Sequence, residues 1–407
     1  MSTMTSTGGA TVAPDIRPFT VAIDRARIDD LRTRILATRW PTKELVDDRS
    51  QGVQLATMRA LAKYWATDYE MLRPEQRLNA LPQFTTDIDG VNVHFIHVRS
   101  KHEGALPLIM THGWPGSVIE LLDVIGPLTD PTAHGGNAED AFHLVLPSLP
   151  GYGFSSEPTE LGWFHGRIAQ AWTELMRRLG YDRYVAQGGD VGAAVTDAMG
   201  RQGAAGLIGI HTNLLVTMLG PGGPPAPNTT PEEQAAGAAV ATFRASGFGY
   251  FLEQATRPQT IGYALLDSPI ALAAWMLDHD TDAYLKIASA FVDDRPSGGL
   301  TRDNILDNIT VYWLTGTGVS AAREYWESGM AAVRAAGTTP PPVTVPTGFT
   351  AFPGEIYVAP RSWVEQGYGN LTYYNKAERG GHFAAWEEPQ LLTEEVRAAF
   401  RPLRSAT

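Results

Sequence analysis

No cysteine occurs among the 407 residues, which excludes a disulfide framework, a zinc–thiolate centre and a cysteine nucleophile, and is compatible with a reducing cytoplasm. Positive charge is in deficit: 32 Lys and Arg against 44 Asp and Glu leave a formal net charge of -12. Nucleic acid and anionic membranes both demand a basic surface, so neither is an expected partner. Long apolar runs are missing too. Residues 270–277 (IALAAWML) are among the longest and fall well short of the ~20 residues of a membrane helix. Residues 1–9 are small and polar, lack the charged and apolar regions of a leader peptide, and read as a loose tail. What is present, 43% hydrophobic and 19% charged residues, suits a soluble globular protein with a large core and accessory units.

Taken in order, residues 22–40 place Ile28, Leu31 and Ile35 at helical spacing before Pro41, and Met58, Leu61 and Trp65 mark a second helix. These two helices form an N-terminal extension whose apolar stripes must be buried by something later in the chain. The period then becomes two: residues 84–88, the turn Asp89-Gly90 and residues 91–98 predict a β-hairpin. His94 and His97 face opposite sides of it and are read as packing or surface residues. Four short apolar runs follow, at 106–111, 143–146, 184–187 and 207–212, alternating with longer segments. One of those is a helix through Ile168, Trp172, Leu175, Met176 and Leu179 that closes at Gly180. This is doubly wound α/β order, in which ligands bind at the carboxyl ends of strands. The rhythm breaks after Leu214 with a Gly/Pro stretch at 220–227, and a helix-rich insertion runs to Ala336. Strands are expected again at 344–352 and 371–374, and a last helix at 389–400. The expected organisation is therefore extension (1–83), first core segment (84–214), helical cap (215–343) and second core segment (344–407). Asp278, Asp280 and Asp282 alternate as in a calcium loop, but Ala283 and Ser289 replace its glycine and bidentate glutamate, so this is read as a polar loop.

The stretch Gly188-Gly189-Asp190-Val191-Gly192 joins a strand to a helix. Its spacing fits a nucleophile elbow with Asp in place of the usual Ser. A carboxylate is already nucleophilic at neutral pH and can displace a carbon–oxygen or carbon–halogen bond, forming an ester on the enzyme. By itself the pentapeptide fits a helix N-cap equally well. Hydrolysis of such an ester needs a base, and His382, in a glycine-flanked loop after the last strand, is the candidate. Glu355, after the penultimate strand, is placed to orient it ahead of Glu365, and residues 207–230 contain no Asp or Glu to compete. Backbone N–H groups of Trp114 and Val191 can form an oxyanion hole. The loop containing Tyr152 can line the same crevice.

At these motifs the chain resembles the microsomal-type epoxide hydrolases of the α/β-hydrolase fold. The resemblance rests on His112-Gly113-Trp114-Pro115-Gly116-Ser117, on the elbow, on residues 379–385 (RGGHFAA), on residues 310–317 (TVYWLTGT) and on Arg39-Trp40-Pro41. It implies that Asp190 opens an epoxide, that Glu355 and His382 activate water, and that Tyr250 and Tyr325 hydrogen-bond the epoxide oxygen. Tyr312 ranks third, and Trp114, Tyr152 and Tyr312 would line the substrate pocket. No cofactor and no metal are implied, and the expected partner is a small hydrophobic epoxide; a homodimer is left open. Members of the family commonly carry Trp where Val191 stands, and its membrane-anchored members have an apolar N-terminal segment not found here, so the chain resembles the soluble microbial branch. Two rival readings are a haloalkane dehalogenase, against which Val191 counts because such enzymes hold halide with indole N–H groups, and a non-catalytic ligand-binding protein on the same scaffold.

Overall fold

The computed structural model describes residues 15–216, 230–335 and 340–404; the expected loose tail and Gly/Pro stretch lie outside them. Nine strands form one sheet in the order β1-β2-β3-β5-β4-β6-β7-β8-β9. They are β1 (Arg17–Phe19), β2 (Gln83–Ile88), β3 (Val91–Val98), β4 (Leu106–Thr111), β5 (Phe142–Pro147), β6 (Tyr184–Gly188), β7 (Leu207–Thr212), β8 (Thr347–Ala351) and β9 (Leu371–Lys376). Pairings from β1 through β3 to β5 are antiparallel, and all pairings from β5 to β9 are parallel. The inner parallel strands are buried on both faces, which is why β4, β5 and β6 read as nearly unbroken apolar runs. Helix His165–Arg178, for example, buries Ile168, Trp172, Leu175 and Met176, and the chain leaves it through Gly180 at φ 81.

The expected strands are all present, with ends shifted: the run 344–352 narrows to Thr347–Ala351 and the run from 371 extends to Lys376. Strand β1 and helix Arg73–Asn79 had no counterpart in the sequence reading. The first helix is shorter than the stretch 22–40: Asp24 caps its start by accepting from the Ala26 N–H at 2.9 Å, and it ends at Leu36, before Pro41 restricts the backbone. Helix Leu55–Thr67 follows. The apolar stripes of the extension are buried, Leu31, Leu61 and Trp65 completely. They pack on helices that lie between β7 and β8: Arg25–Leu36 on Pro269–Leu277, Leu55–Thr67 on Thr281–Val292, and Arg73–Asn79 on Arg302–Thr315. No helix of the described residues is long and apolar enough to cross a membrane.

Candidate active site

Strand β6 ends at Gly188 and helix Asp190–Gln202 begins two residues on, leaving Asp190 in the left-handed region at φ 50. The turn has no room for larger neighbours. A Cβ on Gly192 would lie 2.0 Å from the Thr111 carbonyl oxygen, and one on Gly113 2.4 Å from the Asp190 Cβ. A non-glycine residue held in this conformation stores on the order of 1–3 kcal/mol, and such strain collects at functional sites. Gly189, not Asp190, is the helix N-cap, and no side chain caps this helix. The Asp190 carboxylate turns instead toward the end of β4, where Oδ1 accepts the Trp114 N–H at 2.8 Å. Val191 is the second residue of the helix, so its N–H is among the first-turn donors that have no intrahelical acceptor.

The other oxygen, Oδ2, faces His382 Nε2 at 3.4 Å, and His382 Nδ1 pairs with Glu355 Oε1 at 2.6 Å. Glu355 and His382 sit on loops after β8 and β9 that are joined by a Gly354 N–H to Gly380 carbonyl bond of 2.9 Å. Both side chains are buried. Glu365 is exposed and paired with Arg361 at 2.7 Å, away from the imidazole. The three residues read from the motifs thus meet, with Glu355 and not Glu365 as the partner of His382.

Tyr250 and Tyr325 approach from helices Gly249–Thr256 and Gly318–Arg334. The Tyr250 ring stacks on Trp114 at 5.1 Å, Tyr325 meets Trp114 edge-on at 6.0 Å, and the two phenols lie 6.2 Å apart between ring centres. Phe251 extends this aromatic wall, 5.3 Å from Tyr325. Tyr312 is committed elsewhere: its hydroxyl donates to the Gly116 carbonyl at 2.6 Å. With Asn308, which donates to the Pro115 carbonyl at 2.7 Å and accepts from Ser117 Oγ at 2.7 Å, it fixes the loop that carries Trp114 to helix Arg302–Thr315. Tyr152 is buried beside His112 and Tyr312 and donates to the Ala321 carbonyl at 3.3 Å. Tyr152 and Tyr312 therefore support the walls of the site, while Trp114, Tyr250 and Tyr325 face one another across it.

One residue escaped the sequence reading. His279, in the segment read as a polar loop, is buried with Nε2 3.8 Å from Asp190 Oδ2 and Nδ1 3.1 Å from Asp280 Oδ2. The segment is a helix start: Asp280 caps helix Thr281–Val292 by accepting the Ala283 N–H at 2.8 Å. A histidine flanked by aspartates was the only signal, because its meeting with Asp190 is purely tertiary. Asp190, His279 and His382 are the one group among the described residues whose donor atoms, within 4.8 Å of one another, could grip an ion. Each imidazole has its Nδ1 fixed by a carboxylate, an arrangement that serves acid–base chemistry as well as metal ligation.

Burial works to raise the Asp190 pKa, but the adjacent His279 and His382 rings hold it below the ordinary value. Burial works to lower His382, and the Glu355 charge, with help from Asp190, lifts it well above 6.5. The free site is therefore an ionised carboxylate beside an imidazolium. Burial, reinforced by the Asp190 charge, pushes both Tyr250 and Tyr325 well above 10, so both phenols keep their protons.

Residues 16–121 match the family model described as the epoxide hydrolase N terminus. A protein of Stigmatella aurantiaca, provisionally named as an epoxide hydrolase, is 50% identical over 392 residues, 96% of this chain and 86% of its own. Epoxide hydrolase 1 of Oryctolagus cuniculus is 36% identical over 94% of this chain and 88% of its own. Among solved structures, the Aspergillus niger epoxide hydrolase superposes with a TM-score of 0.81 at 31% identity, covering 97% of both chains. The juvenile hormone epoxide hydrolase of Bombyx mori gives 0.81 at 30% identity over 96% of both. The sheet is that of the α/β-hydrolase fold, and the chain belongs to the epoxide hydrolase family.

Proposed function

We propose that this protein hydrolyses a hydrophobic epoxide to a vicinal diol through an alkyl ester on Asp190, with the helical insertion acting as the cap that carries both phenols. The observation that carries this reading is the division of the Asp190 carboxylate: Oδ1 is held by the Trp114 N–H, which leaves Oδ2 for attack, and the Trp114 ring packs against both Tyr250 and Tyr325. As Oδ2 bonds to an oxirane carbon, the carbon–oxygen bond breaks, and the new alkoxide takes a proton from a phenol. Esterification also removes the Asp190 charge that helped keep a proton on His382. That proton can replace the one lost by the phenol, leaving His382 neutral and able to deprotonate water for attack at the Asp190 carbonyl carbon. Charge then develops on Oδ1, where the N–H groups of Trp114 and Val191 are available to stabilise it. The aromatic wall of Trp114, Tyr250, Phe251 and Tyr325 favours an apolar substituent on the epoxide.

A single turnover of styrene oxide in oxygen-18 water, with enzyme in excess, tests the ester. Mass spectrometry should find label in the peptide containing Asp190 and little in the diol. Label entering the diol directly, with Asp190 unlabelled, would remove Asp190 as nucleophile.

A further inference from the structure

We propose that His279 is a second catalytic histidine, the general acid that protonates the diol oxygen as it leaves Asp190; this rests on the ester reading above. Two imidazoles converge on one oxygen from different parts of the fold. His382 Nε2 comes from the loop after β9 and His279 Nε2 from the start of helix Thr281–Val292, at 3.4 and 3.8 Å from Asp190 Oδ2. Separations of this size often tighten once substrate is bound. The rings lie 4.2 Å apart between centres, and His279 also packs on Tyr250 at 4.9 Å. Its Nε2 is buried and has no hydrogen-bond partner among the described residues, as is true of His382 Nε2. A buried, partnerless ring nitrogen aimed at the reacting atom is the mark of a group kept for the reaction rather than for packing. The second nitrogen is fixed as firmly as that of His382. Nδ1 bonds Asp280 Oδ2, and Asp280 Oδ1 is itself anchored by the Ala283 N–H. Asp280 thus does for the orientation of the His279 ring what Glu355 does for His382.

The identity of the leaving oxygen gives this histidine its task. Because Oδ1 sits on the Trp114 N–H, Oδ2 becomes the ester oxygen and departs with the diol. Water attacks the carbonyl carbon, its oxygen stays on Asp190, and its proton goes to His382. When the bond from the carbonyl carbon to Oδ2 breaks, the electron pair stays on Oδ2, which takes the Nε2 proton of His279. The carboxylic acid left on Asp190 then gives its own proton to His279. This regenerates the Asp190 carboxylate and returns to His279 the proton it gave, with every proton accounted for. With one histidine, the same ring would have to accept the proton of water and then hand it on to Oδ2. With two, the acid is already in place.

The test follows ester formation and ester hydrolysis separately in the full chain, by rapid quench and mass spectrometry, for styrene oxides with para substituents from methoxy to nitro. In His279→Gln we expect ester hydrolysis to slow by roughly 100-fold, the low end of the range for a general acid. The loss should be greatest for methoxy, whose leaving oxygen is most basic, and smallest for nitro, with ester formation much less affected. Asp280→Asn should show the same substituent pattern more weakly, and supplies a second reading if the first variant does not fold. Hydrolysis unchanged in both variants, or slowed equally across the series, overturns the assignment. His382→Gln separates the two levels of the argument: if that variant accumulates no ester, the ester reading itself fails, whatever His279 does.

Discussion

Glu120 lies one turn beyond the oxyanion loop, with Oε2 buried and unpartnered. Burial first, and then the Asp190 charge, push its carboxyl up to about 8, so at neutral pH it carries its proton beside an ionised nucleophile. Its effect on stability has a definite sign. In the unfolded chain a glutamate ionises near ~4.3, whereas here it stays protonated to about 8. The folded state therefore binds more protons between those limits, and stability is lost as pH rises through that window. Glu120→Gln should gain stability relative to the parent from about pH 4.5 to 8 and hold a constant advantage above that, measured by urea unfolding at several pH values. A constant difference across the whole range would show that the buried proton is not the cause. Residues of this kind divide sharply by legibility. Asp190, Glu355 and His382 could be read because each sits in a turn whose glycines betray it. Glu120 and His279 could not, since nothing local records that their side chains end beside Asp190.

At the scale of elements, helix Arg302–Thr315 links the extension to the site. On one side Tyr69 donates to Asp307 at 2.8 Å, Arg77 pairs with it at 2.9 Å, and Arg73 pairs with it as well. On the other, Asn308 and Tyr312 hold the loop that presents the Trp114 N–H. Asp307 is fully buried, and removing its carboxylate takes an acceptor from two guanidinium groups, of which Arg77 keeps Asp123 at 2.9 Å. Asp307→Ala should lower unfolding free energy by about 1–3 kcal/mol and reduce turnover through the displaced loop. The urea midpoint and steady-state rate check this, and an unchanged midpoint would mean the arginines find other partners. The elements themselves were legible where period and burial agree, as in β4 and β7, whose sequence limits match the structure. Strand β1 was not: its three residues, with Pro18 in the middle, have too little pattern to register, and it exists because β2 offers an edge.

For the whole molecule, the expected order of extension, core, helical insertion and core could be proposed from changes of hydrophobic period and the Gly/Pro stretch, but which face each part covers could not. The extension serves two partners at once, adding β1 to the sheet edge while its helices cover those between β7 and β8. A chain lacking residues 1–79 should therefore expose apolar surface on helices Pro269–Leu277, Thr281–Val292 and Arg302–Thr315 that the extension now covers. It should elute as aggregates on size-exclusion chromatography and bind a hydrophobic dye, where the full chain does neither. A monodisperse truncated chain would show that the extension is dispensable.

This placement also sets a schedule for synthesis. The stripe of Ile28, Leu31 and Ile35 leaves the ribosome early, but the helix it packs on begins only at Pro269. At roughly 5–20 residues per second, the stripe waits on the order of 10–50 s for its cover. For that interval the apolar stripe of the newborn chain has only helix Leu55–Thr67 to pack on. The extension that secures the finished enzyme is thus a part of the nascent chain whose apolar stripe must be shielded until the helical insertion has been made.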